Sequence, residues 1–389
     1  MKEKKTTYFF VLLPFVLLFP LWKASVVSAI ESEAPSAQKV EEVVLRFDAN
    51  EGKVSKVAIK KTSGDVLGTL PKATRKNEIF HGWYTKKRGG KAVNAKTVIR
   101  QNTTLYAHWK VRKIDVDAKE LLFGAKNKRL SLKLKITPSN ADCSTLKMKV
   151  NRTKYATIST NHVVTSKNYG QTTLVYSYNG KQTRIPIQVA KKWVAFTFDD
   201  GPSVYTSGLV SFMKKNQLRA TFYVVGTGLG GRGNLLKTLL KNGNEIGNHT
   251  WSHPVDSWNA VGQVQSVDWK LKKLTGTTTQ TFRPPGGGLG GSVRQVRKPI
   301  ILWSVDTNDW RDRVPSIVYN RVMRGARSGA IVLMHDIHGT TIPAAKQAFL
   351  SLKKQGFAFV TVSELLNGGR PGVVYTQGGA KVRTMKINY

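Results

Sequence analysis

A single cysteine in 389 residues rules out an internal disulfide. Cys143 stands between Asp142 and Ser144, away from every cluster of reactive residues, and reads as incidental. Packing or a bound metal must therefore supply what cross-links supply in small exported proteins. Acidic residues are scarce as well: 23 Asp and Glu against 62 Lys and Arg give a formal net charge of +39. The imbalance is diffuse, with 27 basic against 10 acidic residues in 191–389 and 35 against 13 before that. Aromatics do not interleave with these charges, so nucleic acid finds no stacking platform. Spread-out positive charge suits anionic cell-wall polymers or an anionic lipid surface, where long-range attraction concentrates the protein. The apolar run at the N-terminus, Tyr8 to Trp22, is also short. Its 15 residues include Pro14 and Pro20. A bilayer-spanning helix needs roughly 20. With Lys2, Lys4 and Lys5 before it and Val27-Ser28-Ala29 after it, the run reads as an export signal cleaved after Ala29. An uncleaved membrane anchor is the alternative.

Texture divides the remainder. Residues 30–42 are a Ser/Ala/Pro/Glu-rich linker without apolar period. From Val43 short alternating runs appear between Gly and Asn/Asp turns, the pattern of small β-rich units. Leu45-Arg46-Phe47-Asp48-Ala49-Asn50-Glu51-Gly52, Gly68-Thr69-Leu70-Pro71, Phe80-His81-Gly82-Trp83-Tyr84-Thr85 and Thr104-Leu105-Tyr106-Ala107-His108-Trp109 resemble one internalin-type B repeat (the Listeria–Bacteroides repeat) over 43–110. That resemblance implies a small β-grasp-like module of bacterial surface proteins without catalytic residues. Trp83 and Trp109 read as core aromatics, with a sugar platform as the alternative. Residues 111–190 are again strand-rich: Leu130-Ser131-Leu132-Lys133-Leu134 alternates, and Gly170 to Tyr176 follows further on. Short strands with turn signals between them predict a β-sandwich. Ile136-Thr137-Pro138-Ser139-Asn140 and Ala156-Thr157-Ile158-Ser159 resemble bacterial immunoglobulin-like domains, which implies a spacer or wall-contacting stalk.

From Trp193 strands alternate with helices through residues 191–389, which predicts a parallel sheet of six or seven units closed as a small barrel. Strands are expected at Trp193–Phe198, Arg219–Val225, Ile300–Val305, Ala330–Met334 and Phe357–Thr361. Helices are expected at Tyr205–Asn216, Asn234–Lys241, Val261–Leu274 and Val362–Leu366. Polar clusters follow the strands, at the end where such folds keep their active sites.

Each cluster carries chemistry. Asp199-Asp200-Gly201-Pro202 places two carboxylates at a strand end, costly in a core and natural at a metal site. His249 and His253 are four apart, so a helical turn would aim both rings at one point. With one carboxylate they make a two-His, one-Asp set that leaves positions open. Arg283, before Pro284-Pro285 and Gly286 to Gly288, can pair with a carboxylate while a glycine N–H faces an oxyanion. His335, ending the run Ala330 to Met334, can serve as general acid.

Together with Asp306-Thr307-Asn308-Asp309-Trp310, these segments resemble the polysaccharide deacetylases of the NodB-homology family (carbohydrate esterase family four) over about 192–367. The resemblance implies a distorted (β/α) barrel and a divalent metal, usually zinc, on Asp200, His249 and His253. It makes Asp199 the general base, oriented by Arg283 with help from Asp306 or Asp309. Trp310 and Leu333 would wall the acetyl pocket, Gly286 would give its N–H to the oxyanion, and His335 would protonate the departing amine. Gly286 stands where the family commonly has Tyr. His335-Asp336-Ile337-His338-Gly339-Thr340-Thr341 looks most like the peptidoglycan-directed branch. The expected activity is removal of N-acetyl groups from a wall polysaccharide, with peptidoglycan N-acetylglucosamine as the substrate, at the surface of a Gram-positive-type bacterium. Chitin, exopolysaccharide or acetylxylan would suit the same site. A wall-binding protein without activity is the reading from another class.

Overall fold

The computed structural model describes residues 41–76, 78–110, 113–138, 146–178, 181–255 and 258–389. The export signal, most of the linker and Cys143 lie outside the described residues. Among those that are described, no helix is long and apolar enough to cross a membrane.

The first unit is a five-stranded sheet in the order Ala58–Thr62, Glu42–Asp48, Thr103–Trp109, Phe80–Tyr84, Ala92–Val93. Its central pair is parallel and its other pairs antiparallel. Alternation in Glu42–Asp48 puts Val43, Leu45 and Phe47 on one face, against Leu105, Ala107, Trp83 and Trp109. Trp83 and Trp109 are 2% and 0% exposed, so both are core residues. Their indole N–H groups donate to the carbonyls of Pro71 and Asn50. Gly52 lets the Trp109 ring approach, since a Cβ there would lie 2.6 Å from it.

Two sheets share the next core. Lys147–Val150, Gly170–Tyr178, Lys181–Val189 and Glu120–Phe123 pair in that order, opposite a three-stranded sheet of Arg129–Ser131, Val163–Ser166 and Ala156–Ile158. The fifth strand of the larger sheet comes from far along the chain. Met385–Ile387, expected within the C-terminal unit, pairs antiparallel with Glu120–Phe123. Leu122, Val382 and Ile387 then pack with Trp193, Ala195 and Ile331, so the middle and C-terminal units share one apolar cluster. Arg219, 4% exposed, pairs with Glu120 on one side of this joint and Glu364 on the other.

The C-terminal sheet runs Glu245–Asn248, Thr221–Val224, Lys192–Asp199, Ala330–His335, Val305–Asp306, with Phe357–Phe359 also paired to Lys192–Asp199. All of these pairs are parallel. Such strands are buried on both faces, hence their unbroken apolar runs. Val194, Phe196 and Phe198 face the helices, and Trp193 and Ala195 face the opposite cluster. The helices are Thr206–Asn216 (α1), Gly233–Lys241 (α2), Ala260–Thr275 (α3), Asp309–Asp312 (α4), Pro315–Gly325 (α5), Thr341–Lys354 (α6) and Val362–Leu366 (α7). Helix α3 begins at Asn259, whose side chain accepts the Gly262 N–H, and ends at left-handed Gly276. Single bridges from Asn248 to Phe282 and from Phe282 to Ile300 carry the pairing further round.

The expected strand Ile300–Val305 is two short ones, Ile300–Ile301 and Val305–Asp306. The chain changes partner between them. Leu302 N–H donates to Tyr375, whereas Ser304 N–H donates to Ile331.

Candidate active site

Asp199, His249, Asp306 and His335 sit at the C-terminal ends of parallel strands or just past them, and Arg283 follows the bridging residue Phe282. Parallel pairing alone puts them on one rim.

Asp200 leaves the strand in the left-handed region, with φ at 68°. Its Oδ1 lies 3.4 Å from His249 Nε2 and 3.2 Å from His253 Nε2. The ligand atoms of all three lie within 4.8 Å of one another. The helical turn expected between the histidines is absent. Thr250 and His253 instead take φ of 70° and 57°, and these two left-handed bends swing both imidazoles to one point. For a β-branched residue such as Thr250 this conformation is uphill, by roughly 1–2 kcal/mol. Local hydrogen bonds hold it: Thr250 N–H donates to Asn248 Oδ1, His253 N–H to Thr250 Oγ1, and the N–H groups of Trp251 and Ser252 to Gln263 Oε1.

The donor set fits a divalent cation. His249 Nδ1 meets the Arg283 carbonyl at 2.7 Å and can only donate there, which leaves Nε2 as the lone pair turned to Asp200. Asp200 Oδ1 is buried and makes no hydrogen bond. A stranded carboxylate oxygen between two imidazoles is what a divalent cation would satisfy. Burial alone would raise the Asp200 carboxyl, but the His249 and His253 imidazoles close beside it hold it well below the ordinary range. The same closeness to Asp200 raises His253.

Asp199 is 2% exposed and faces Arg283, whose Nη1 donates to Asp199 Oδ1 at 2.7 Å. Arg283 is itself fully buried. It also donates to Thr197 Oγ1 and to the carbonyls of Ile301 and Leu302, with its guanidinium 4.2 Å from the Tyr223 ring centroid. The other Asp199 oxygen, Oδ2, stands 3.6 Å from His249 Nε2.

Neither Asp306 nor Asp309 contacts Arg283, which corrects the expectation that one of them would help it. Asp306 Oδ1 accepts the Asn308 N–H and caps its own turn. Asp309, fully buried, serves His335: it accepts His335 Nδ1 at 2.8 Å, the His335 N–H at 2.7 Å and the Thr341 hydroxyl at 2.7 Å. Burial opposes charge on His335, yet the Asp309 hydrogen bond and the fields of Asp199, Asp309 and Asp200 raise it to about 9. Burial raises Asp309, but the hydrogen bonds from His335 and Thr341 together with the His335 field leave it lowered.

Nine of the eleven candidates line one cavity of about 420 Å³: Asp199, Asp200, His249, His253, Gly286, Asp306, Trp310, Leu333 and His335. Arg283 and Asp309 lie beneath it, fully buried. Trp303 and Pro284 complete the lining. Gly286 has φ of 60°, and a Cβ built there would meet only Val255, at 3.5 Å, so this wall is open.

Asp336 has a role that its place in the run His335 to Thr341 did not reveal. Fully buried, it accepts the Thr206 hydroxyl, and its carbonyl accepts that of Ser203. A Cβ at Gly201 would fall 2.4 Å from Asp336 Oδ1, so glycine there lets the Asp199–Asp200 turn close onto this carboxyl. Burial raises Asp336 to about 7. Its one sequence signal is a carboxylate directly after a strand-end histidine.

Comparison with known proteins finds the polysaccharide deacetylase family model matching residues 187–300 and the Listeria-Bacteroides repeat domain matching 44–108. The peptidoglycan-N-acetylglucosamine deacetylase PgdA of Listeria monocytogenes is 40% identical over 191 residues, 48% of this chain and 41% of that protein. The peptidoglycan-N-acetylmuramic acid deacetylase PdaC of Bacillus subtilis is 38% identical over 181 residues, 45% of this chain and 39% of that protein. The solved structure of PdaC aligns with a TM-score of 0.43 over 44% of this chain and 88% of the solved one. A peptidoglycan-N-acetylglucosamine deacetylase of Bacillus cereus is 36% identical over 189 residues, 45% of this chain and 89% of that protein. The chain thus spans about two fifths of the length of PgdA and PdaC, and nearly all of the shorter Bacillus cereus enzyme.

Proposed function

The chain belongs to the polysaccharide deacetylase family, and on that premise we propose that it hydrolyses the N-acetyl group of N-acetylglucosamine in peptidoglycan. The products are acetate and a free amino sugar. The observation that carries this reading is the convergence of Asp200, His249 and His253 beside a buried Asp199–Arg283 pair, with His335 on the same cavity.

Asp200, His249 and His253 would hold one divalent ion, zinc by the chemistry of the donors. When bound, such an ion supplies Lewis acidity that lowers the pKa of water toward neutrality. Asp199, held on one oxygen by Arg283, takes a proton from the attacking water through its other oxygen. The water oxygen forms a bond to the acetamide carbon, and Gly286 is placed to offer its N–H to the developing oxyanion. His335, charged at neutral pH and held by Asp309, gives its proton to the nitrogen as the C–N bond breaks. Trp310 and Leu333 exclude water around the acetyl methyl.

PdaC is named for N-acetylmuramic acid and PgdA for N-acetylglucosamine, at nearly equal identity to this chain. The deciding measurement is acetate release from peptidoglycan, N-acetylglucosamine oligomers and acetylxylan, with and without chelator, followed by identification of the deacetylated sugar. Release that chelation leaves unchanged would sink the metal-dependent mechanism. Deacetylated muramic acid alone would reassign the sugar.

The finer architecture belongs to the same proposal. Residues 43–110 form a β-grasp-like module, 111–190 an immunoglobulin-like sandwich to which Met385–Ile387 adds a strand, and the rest of 191–389 a distorted (β/α) barrel. The protein is exported, works at a Gram-positive-type wall, and uses its charge to stay near anionic wall polymers, with the N-terminal segment as signal or membrane anchor.

A further inference from the structure

Three tryptophans of the C-terminal unit stand well into solvent: Trp258, Trp269 and Trp310, at 82%, 60% and 48% exposure. Trp310 lines the catalytic cavity. Trp269 has no such role, and helix geometry sharpens the question. Helix α3 buries Ala260, Val264, Val267 and Leu271, one stripe at helical spacing. Position 269 falls on the opposite side, where an indole adds nothing to the core.

What Trp269 does is wall an open cleft of about 540 Å³ with Trp251, Gly262, Gln265 and Ser266. None of these side chains ionises, although the chain carries a net charge of +39. The Lys273 ammonium stands over the Trp269 ring, 4.1 Å from its centroid. Trp251 is fixed in place. Its indole fills the space beside Gly226, where a Cβ would lie 2.3 Å from the ring, and its backbone N–H donates to Gln263 Oε1. Ser266 donates to the Gly262 carbonyl and keeps its lone pairs for an incoming hydroxyl. The cleft shares a loop with the active site: Trp251, in its wall, lies between His249 and His253 of the catalytic cavity.

We propose that this cleft is a second binding site, for an uncharged polyhydroxylated glycan strand, holding the polymer outside the catalytic cavity. Indole surfaces suit the apolar C–H faces of pyranose rings, and an amide and a hydroxyl suit their equatorial OH groups. The lining side chains themselves carry no charge to pair with an anionic polymer, and the Lys273 ammonium is already engaged on the Trp269 ring. Two attachment points on one strand raise its effective concentration at the catalytic site without any new catalytic contact. The occupant rests on the polysaccharide reading above; the cleft itself does not.

The test uses the full chain with Trp269→Ala, Trp269→Phe and Gln265→Ala. Binding to insoluble peptidoglycan is measured on metal-free protein, so no turnover is needed. Trp269→Ala is expected to weaken it by up to about tenfold, the loss of one aromatic contact. Trp269→Phe keeps most of the affinity, and Gln265→Ala loses a smaller part. In the metal-loaded enzyme, KM for a hexamer of N-acetylglucosamine rises with Trp269→Ala while kcat holds, and turnover of the dimer is unchanged. Equal binding by wild type and Trp269→Ala would overturn the proposal, as would a binding loss that appears only in competition with polyglycerol phosphate. If no substrate releases acetate, the catalytic reading fails, and the metal-free binding comparison still decides this one.

Discussion

Asp309→Asn tests how the general acid is set. Asp309 accepts four hydrogen bonds, two from His335 and one each from the Thr307 and Thr341 hydroxyls, and an asparagine can match only one of its oxygens. Its amide nitrogen must then face a donor. His335 is 12% exposed on its side chain and sits at about 9 instead of 6.5. That difference is worth about 3 kcal/mol between its two protonation states. Because the folded value is the raised one, this stability is fully present below pH 6.5 and is lost as pH climbs through about 9. Metal-free wild type should therefore lose about 3 kcal/mol over that window, roughly 6–12 °C in Tm for a domain of this size. In Asp309→Asn the loss should shrink to a fraction, and the His335 midpoint, read by NMR titration of the imidazole, should fall toward the ordinary value. In the loaded enzyme the alkaline limb of kcat should move to lower pH. A His335 midpoint unchanged by Asp309→Asn would refute this account of the site.

Other perturbations reach different parts of the constellation. Arg283→Met leaves Asp199 buried without its partner and should cost about 3–5 kcal/mol, seen as a Tm drop of roughly 6–20 °C. Gly201→Ala forces a methyl against Asp336 Oδ1; it should weaken zinc affinity in calorimetry, whereas Gly208→Ala, with nothing within 4 Å, should not. Zinc at a hundredfold excess over its Kd should raise stability by about 2.7 kcal/mol in thermal melts, and His249→Ala should abolish the gain. Zinc affinity should fall as pH drops, since Asp200 raises His253 and protons compete for its Nε2.

Apolar runs such as Trp193 to Phe198 and Ala330 to Met334 made the parallel strands legible, because a strand buried on both faces leaves no polar alternation. The residues gathered at their ends were legible for the same reason, since parallel pairing fixes which ends meet. Local backbone was not. The spacing of His249 and His253 matched a helix, whereas two left-handed residues deliver the convergence. Partners of buried groups were equally hidden. Asp306 and Asp309 are three apart in one cluster, and only the fold decides that Asp309 turns inward to His335 while Asp306 ends in its own turn. Nothing in the run from Gly378 to Tyr389 marks Met385–Ile387 as a strand of a sheet built elsewhere.

That returning strand bears on how the chain is made. Lys386 reaches Asp117 across 269 positions, so residues 120–123 leave the ribosome long before residues 385–387 exist to cover them. Until then the Glu120–Phe123 edge presents unpaired backbone beside Leu122, a template for any passing strand. The middle sheet thus gains its last strand only after the whole C-terminal unit has been synthesised, at long loop-closure cost. A nascent or half-exported chain stalled before Met385 would carry a complete metal constellation and an unprotected sheet edge together, and aggregation rather than inactivity would be its failure mode.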